Sequence, residues 1–251
     1  MRQMFTVLII FVLVFTSVDA FSQLSRKNQF EIYAGAGFPL SPDDFKDYYK
    51  VGLSLNAQYV FFPTYRLGIP IFVGYEGFAV DNDAINSEFQ SMVVGVPLYD
   101  DFGTYLGMIT DANMDVEGSA STVKFGLGLR PYLTSPEAST QFFLFANASY
   151  NILKEKQTVN DLTATVEDVA GNLYDVTFTQ EFLDELSYED TIKKFGVGFG
   201  AGIEVPVGDR LNLIFQGLYN MIFTEKYTDE FTGEEFGGTT SFIGVTGGIV
   251  F

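Results

Sequence analysis

The side chains that usually carry chemistry are reduced here to acids. The 251-residue chain has 32 Asp and Glu against 14 Lys and Arg, and neither His nor Cys. Without His there is no Ser-His or Cys-His catalysis and no imidazole metal site; without Cys there is no thiol nucleophile, disulfide or thiolate-held metal. A net charge of −18 argues against nucleic acid, whose phosphates are met by Lys and Arg. Paired-carboxylate chemistry stays formally open, but no pair is set apart from the other acids. Two motifs invite a reading. Gly196-Val197-Gly198-Phe199-Gly200-Ala201-Gly202 is not the G-x-G-x-x-G of a dinucleotide turn, and no helix follows it. Asp81-Asn82-Asp83 opens like a calcium loop, but Asn86 stands where the Gly belongs and Met92 where the Glu belongs. The sequon Asn147-Ala148-Ser149 falls inside an alternating, strand-like segment and is set aside.

Six charges remain distinctive: Glu31, Glu76, Lys124, Arg130, Lys194 and Glu204. Their setting is a period of two. In 194–205, Phe195, Val197, Phe199, Ala201, Ile203 and Val205 oppose Lys194, Gly196, Gly198, Gly200, Gly202 and Glu204. Successive strand side chains point to opposite faces, so such a segment has one apolar and one small or polar face. Eight of these segments occur, at about 29–38, 50–61, 66–78, 122–134, 142–153, 193–206, 210–223 and 241–251. Most are far longer than the ~5–6 residues usual in soluble strands and match the ~9–11 that a tilted strand needs to cross a bilayer. Connections alternate between short ones (62–65, 135–141, the Gly208-Asp209 turn) and long ones (39–49, 79–121, 154–192, 224–240). The long ones hold 26 of the 32 acids. This is the layout of an all-β, eight-stranded antiparallel up-and-down transmembrane barrel, with long loops at one rim and short turns at the other.

A lipocalin-like barrel would share the strand count with its apolar face inward. Three features favour the membrane arrangement. Thirteen glycines share the face of the six charges and suit a lumen only wide enough for side chains. Aromatics gather near the segment ends, as in interfacial girdles: Tyr59, Phe61, Phe62, Tyr65, Tyr132 and Phe142 at one rim; Phe38, Tyr75, Phe78, Tyr150, Phe195 and Phe223 at the other. The chain also finishes on alternating Ile243, Val245, Gly247, Ile249 and Phe251. Inside, Glu76 should neighbour Lys124, Arg130 should reach Glu31 or Glu204, and Phe72, Phe143 and Phe145 should fill the remaining space. The stretch 158–182 reads as a hairpin turning at Gly171-Asn172. Residues 79–121 are too apolar for a polar tail and are expected to order over the mouth with acids outward.

The start of the chain reads as an address. Basic Met1–Met4, apolar Phe5–Val18 and Val18-Asp19-Ala20 form a secretory signal peptide, with a cut expected after Ala20 and a barrel domain from 21 to 251. The whole pattern resembles the small porin-like outer-membrane β-barrel proteins of bacteria, the OmpA- and OmpX-like eight-stranded barrels. That resemblance implies a monomer in the outer membrane, with the Ile243–Phe251 alternation as the signal read by the barrel-assembly machinery. The hydrolases known among outer-membrane barrels depend on His, which is missing here. The expected function is a non-catalytic barrel acting through acidic surface loops, envelope-structural or adhesion-like. It would need no cofactor or metal, apart from divalent cations held loosely at the loops. The alternative is a narrow channel for small or apolar solutes.

Overall fold

The computed structural model describes residues 28–99, 102–135, 137–207, 211–224, 226–228 and 235–251. The signal peptide and the Gly208-Asp209 turn lie outside the described residues. In chain order the strands are β1 (Gln29–Ser41), β2 (Gly52–Thr64), β3 (Leu67–Ala79), β4 (Pro97–Tyr99), β5 (Tyr105–Pro131), β6 (Gln141–Glu167), β7 (Leu173–Thr177), β8 (Tyr188–Pro206), β9 (Asn212–Ile222), β10 (Lys226–Thr228), β11 (Glu235–Gly237) and β12 (Thr240–Val250). The helices are α1 (Asp43–Tyr48), α2 (Asn82–Val93) and α3 (Gln180–Leu186).

Eight strands close a barrel in the order β1-β2-β3-β5-β6-β8-β9-β12, and β12 returns to pair antiparallel with β1. Alternation decides the faces. Ile32, Leu53, Leu55, Ile71, Val73, Phe125, Leu127, Leu144, Phe199, Phe215, Val245 and Ile249 look outward and are exposed. The charged and glycine-bearing face looks inward. A 13-residue strand such as β2 or β3 rises ~3.3 Å per residue and, tilted ~40°, stands roughly 33 Å tall, enough for the ~25 Å apolar band of a membrane barrel.

Two strands are longer than the sequence reading allowed. β5 and β6 run 27 residues each, starting at Tyr105 rather than 122 and ending at Glu167 rather than 153. β3 leaves β5 at the Ala79–Ser119 pair, so residues 105–118 rise beyond the barrel rim, paired with β6 from Met108 onward and, at Tyr105–Met108, with β4. Register shifts between Ile109 and Asp111 and between Asp115 and Val116 swap the face that each parity occupies, which breaks the period-two signal. The chain leaving β6 turns through Gly171, at φ 84°, and β7 folds back onto residues 163–167.

This projection has its own core. Ile85, Phe89 and Val93, spaced four apart on α2, pack on two clusters. One holds Val116, Val159, Leu162 and Leu183; the other holds Ile109, Ala112, Ala164 and Val166. Asp81, the residue that begins the calcium-like motif, instead caps α2 by accepting the Ala84 N–H at 3.4 Å. On the same helix, Asn82, Asn86 and Gln90 run along the open edge of β5. The Val116 N–H donates to Asn82 Oδ1 and the Met114 N–H to Asn86 Oδ1, both at 2.8 Å, and Gln90 donates to Asp111. Side-chain amides thus stand in for a neighbouring strand, covering an edge that would otherwise be open to pairing.

Candidate functional site

The lumen is filled in two tiers. At the turn end, Arg130 is fully buried and its Nη1 lies 2.7 Å from Glu31 Oε1. Its Nη2 donates to the Tyr33 hydroxyl at 2.9 Å, and the guanidinium lies 4.5 Å from the Phe143 ring centroid and 5.7 Å from that of Phe145. Tyr33 donates to Glu31, and Gln58 donates to both Glu31 and Tyr33. Tyr132 donates at 3.0 Å to Glu204, which also accepts from Gln29 at 3.1 Å and from Asn212. Phe62 and Val60 of β2, Ile214 of β9 and Val250 of β12 also pack this tier. Above it, Lys124 Nζ sits 2.7 Å from Glu76 Oε1, which also accepts from Ser54 at 3.0 Å. Lys124 lies 5.6 Å from the Phe242 ring centroid, and Phe78 and Phe242 roof this tier.

Glycines make the room. A Cβ on Gly202 would meet the Phe143 ring at 2.3 Å, and one on Gly74 would meet the Lys124 Cε at 2.7 Å. The inner face is small where a neighbour is large, so the barrel is close-packed rather than hollow.

Of the six charges singled out in the sequence, Glu76 and Lys124 form one pair. Arg130, Glu31 and Glu204 form a second group, in which Tyr132 bridges Arg130 to Glu204. Lys194 is half-buried and lines the mouth, opposite Asn151 in the strand register. Phe72, Phe143 and Phe145 are buried inside. Three of the aromatics read as girdle residues are not on the outer wall. Phe62, Tyr132 and Phe78 are buried in the lumen, because they share parity with Val60, Arg130 and Glu76. Tyr59, Phe61, Phe142, Phe38, Tyr75, Phe195 and Phe223 are exposed. Ile243, Val245, Ile249 and Phe251 of the final segment face outward. Tyr33, Gln58, Ser54 and Tyr132 are among the neutral partners of the buried charges. Sequence reasoning gave them no such role, and their only signal was the inward parity they share with those charges.

Over the upper tier lies a cavity of about 570 Å³. Its floor and sides include Phe45, Tyr49, Phe78, Phe242, Ile222 and Leu153. Phe45, on α1, packs edge-on to Phe78 at 5.0 Å. On one wall Tyr49 and Tyr188 both donate to Glu155 Oε1, the latter at 2.8 Å. Burial and the Glu155 carboxylate push the Tyr49 phenol well above its ordinary range.

An outward apolar belt, a filled polar interior and eight closed antiparallel strands define a transmembrane β-barrel of the outer-membrane type. No protein-family model matches the sequence, and no curated protein does. Solved structures resemble it at low identity. Neisserial surface protein A is 11% identical, with 91% of this chain and 98% of that one covered, at a TM-score of 0.45. A major outer membrane protein of Thermus thermophilus is 12% identical, with coverage of 90% and 99%, at 0.46. Ail, the attachment invasion locus protein of Yersinia pestis, solved with the heparin analogue sucrose octasulfate, is 10% identical, with coverage of 90% and 100%, at 0.41. The architecture itself rests on the strand pairing described above.

Proposed function

We propose that the protein is a non-catalytic, non-conducting barrel of the bacterial outer membrane that works through the sheet it projects from the surface. The observation that carries this reading is the projection: β5 and β6 continue past the rim, carry α2, β4, β7 and α3 on a separate apolar core, and are strongly acidic. Residues 79–121 hold eight acids and 157–192 hold nine, with no Lys or Arg in either. An ordered surface of one sign repels anionic polymers and attracts basic or cation-bridged partners, with strong salt dependence. The lack of His and Cys and the packed lumen support the rest of the reading. The protein is taken to be a monomer, inserted by the barrel-assembly machinery acting on Ile243–Phe251.

The test is binding of intact cells displaying the protein to oligolysine-coated beads. Glu88→Gln, Glu117→Gln, Asp161→Asn, Glu181→Gln and Glu185→Gln together remove five acids, all of them exposed. Binding should fall severalfold in this variant and in high salt. Binding that is unchanged in both would refute the surface role.

A further inference from the structure

We propose that the cavity over the barrel mouth binds a small organic ammonium ion with an apolar or aromatic body. This inference is independent of the surface role and uses a different part of the molecule. The volume, about 570 Å³, falls within the ~300–1,000 Å³ typical of small-molecule sites. The floor is aromatic. Phe45, Phe78 and Phe242 form a chain of edge-to-face contacts at 5.0 and 5.6 Å, and Tyr49 tilts against Phe45 at 5.4 Å. Rings gathered in this way offer an apolar body a dry seat and offer a cation their electron-rich faces.

The wall supplies the charge. Glu155 lines the cavity half-buried, and two phenols hold it through a single oxygen, Oε1. Its Oε2 accepts no hydrogen bond among the described residues. A carboxylate whose orientation is fixed by two neutral donors loses little freedom when it meets an ammonium group, and the contact is charge-assisted. The Tyr49 phenol, kept protonated by its surroundings, remains a donor to Glu155 rather than a second negative charge. Asp44 and Asp190 also line the cavity. On the opposite side of the balance, Lys154 is committed to Glu189 at 2.7 Å, and Lys194 is the other lining base. The projection that rises beside the mouth adds acids and no bases, so the local field concentrates cations before they enter.

Three probes with one body and different heads test this: 4-phenylbutylamine, 4-phenylbutanol and 4-phenylbutyrate. Each is titrated calorimetrically into the full chain in lipid nanodiscs, with protein-free nanodiscs subtracted to remove partition into lipid. The amine should bind saturably and at least tenfold tighter than the alcohol, and the carboxylate weakest. Glu155→Gln should remove the preference for the amine and leave the alcohol unchanged. Phe45→Ala, on the loop helix rather than the barrel wall, should weaken all three. Equal or tighter binding of the carboxylate would overturn the proposal, as would an amine that shows no saturable binding to the wild type. Neither result requires a variant to fold. Retention of the amine preference in a folded Glu155→Gln protein would also overturn it.

Discussion

Replacing Arg130 with methionine should destabilise the barrel strongly, and adding Glu31→Met should return most of the loss. In the wild type both charges are fully buried and 2.7 Å apart. Removing the arginine leaves Glu31 with Tyr33 and Gln58 as donors but with no counter-charge, and breaking a buried pair from one side costs about 3–5 kcal/mol. Loss of the guanidinium from between Phe143 and Phe145 adds about 0.5–2 kcal/mol. Methionine is unbranched and suits a site between rings, so the loss is electrostatic more than steric. In the double variant the Glu31 charge goes with its partner, Glu204 keeps Gln29, Tyr132 and Asn212 as donors, and apolar replacement of a buried pair ranges from neutral to stabilising by about 1–4 kcal/mol. The assay is urea unfolding in lipid vesicles, followed by tyrosine fluorescence, since the chain has 14 Tyr and no Trp. A double-mutant cycle then isolates the coupling. A single variant that costs less than about 1 kcal/mol, or a double variant no better than the single one, would refute the claim that a dry ion pair closes the lower lumen.

Three further outcomes follow from the packing. Gly202→Ala should cost about 1–3 kcal/mol and lower assembly yield, because its Cβ would meet the Phe143 ring at 2.3 Å and the Phe215 carbonyl at 2.6 Å; heat-modifiable gel migration reads this. Asn86→Ala strands the Met114 N–H and should loosen α2 by about 1–3 kcal/mol, seen as faster hydrogen exchange over residues 82–93 with the barrel strands unchanged. The Tyr49 phenol is raised first by burial and then by Glu155. A raised group contributes stability that is full below its unfolded value of about 10 and is lost only as pH climbs through the higher folded value. Absorbance titration should therefore show that Tyr49→Phe removes a late-ionising phenol and not an early one.

Parity makes most of the barrel legible. With Glu31, Glu76, Lys124, Arg130 and Glu204 on the glycine side, the inward face and the nearness of Glu76 to Lys124 follow from parity and strand order, whereas the choice of Glu31 or Glu204 for Arg130 does not, because β5 neighbours neither β1 nor β8. The misplaced rings, Phe62, Phe78 and Tyr132, show where a different cue misleads: nearness to a strand end suggests a girdle, but parity decides which side of the wall a ring occupies. The extension of β5 and β6 is obscured for a physical reason. One register shift moves the apolar residues of β5 to the opposite parity between Ile109 and Ala112, and the other does the same in β6 between Val159 and Leu162, so a fixed period of two stops matching. α2 is readable in principle from Asp81 as its cap and from Ile85, Phe89 and Val93 at intervals of four. The cavity is not, because Tyr49, Glu155 and Tyr188 come together only through the pairing of three separate strands and loops.

Planar-bilayer recording of the purified protein tests most directly whether this is a plugged barrel that works from its surface or a channel. The two tiers around Arg130 and Lys124 predict no steady ohmic current at any moderate voltage. A large, stable, ion-selective conductance would contradict the account and favour transport through the lumen.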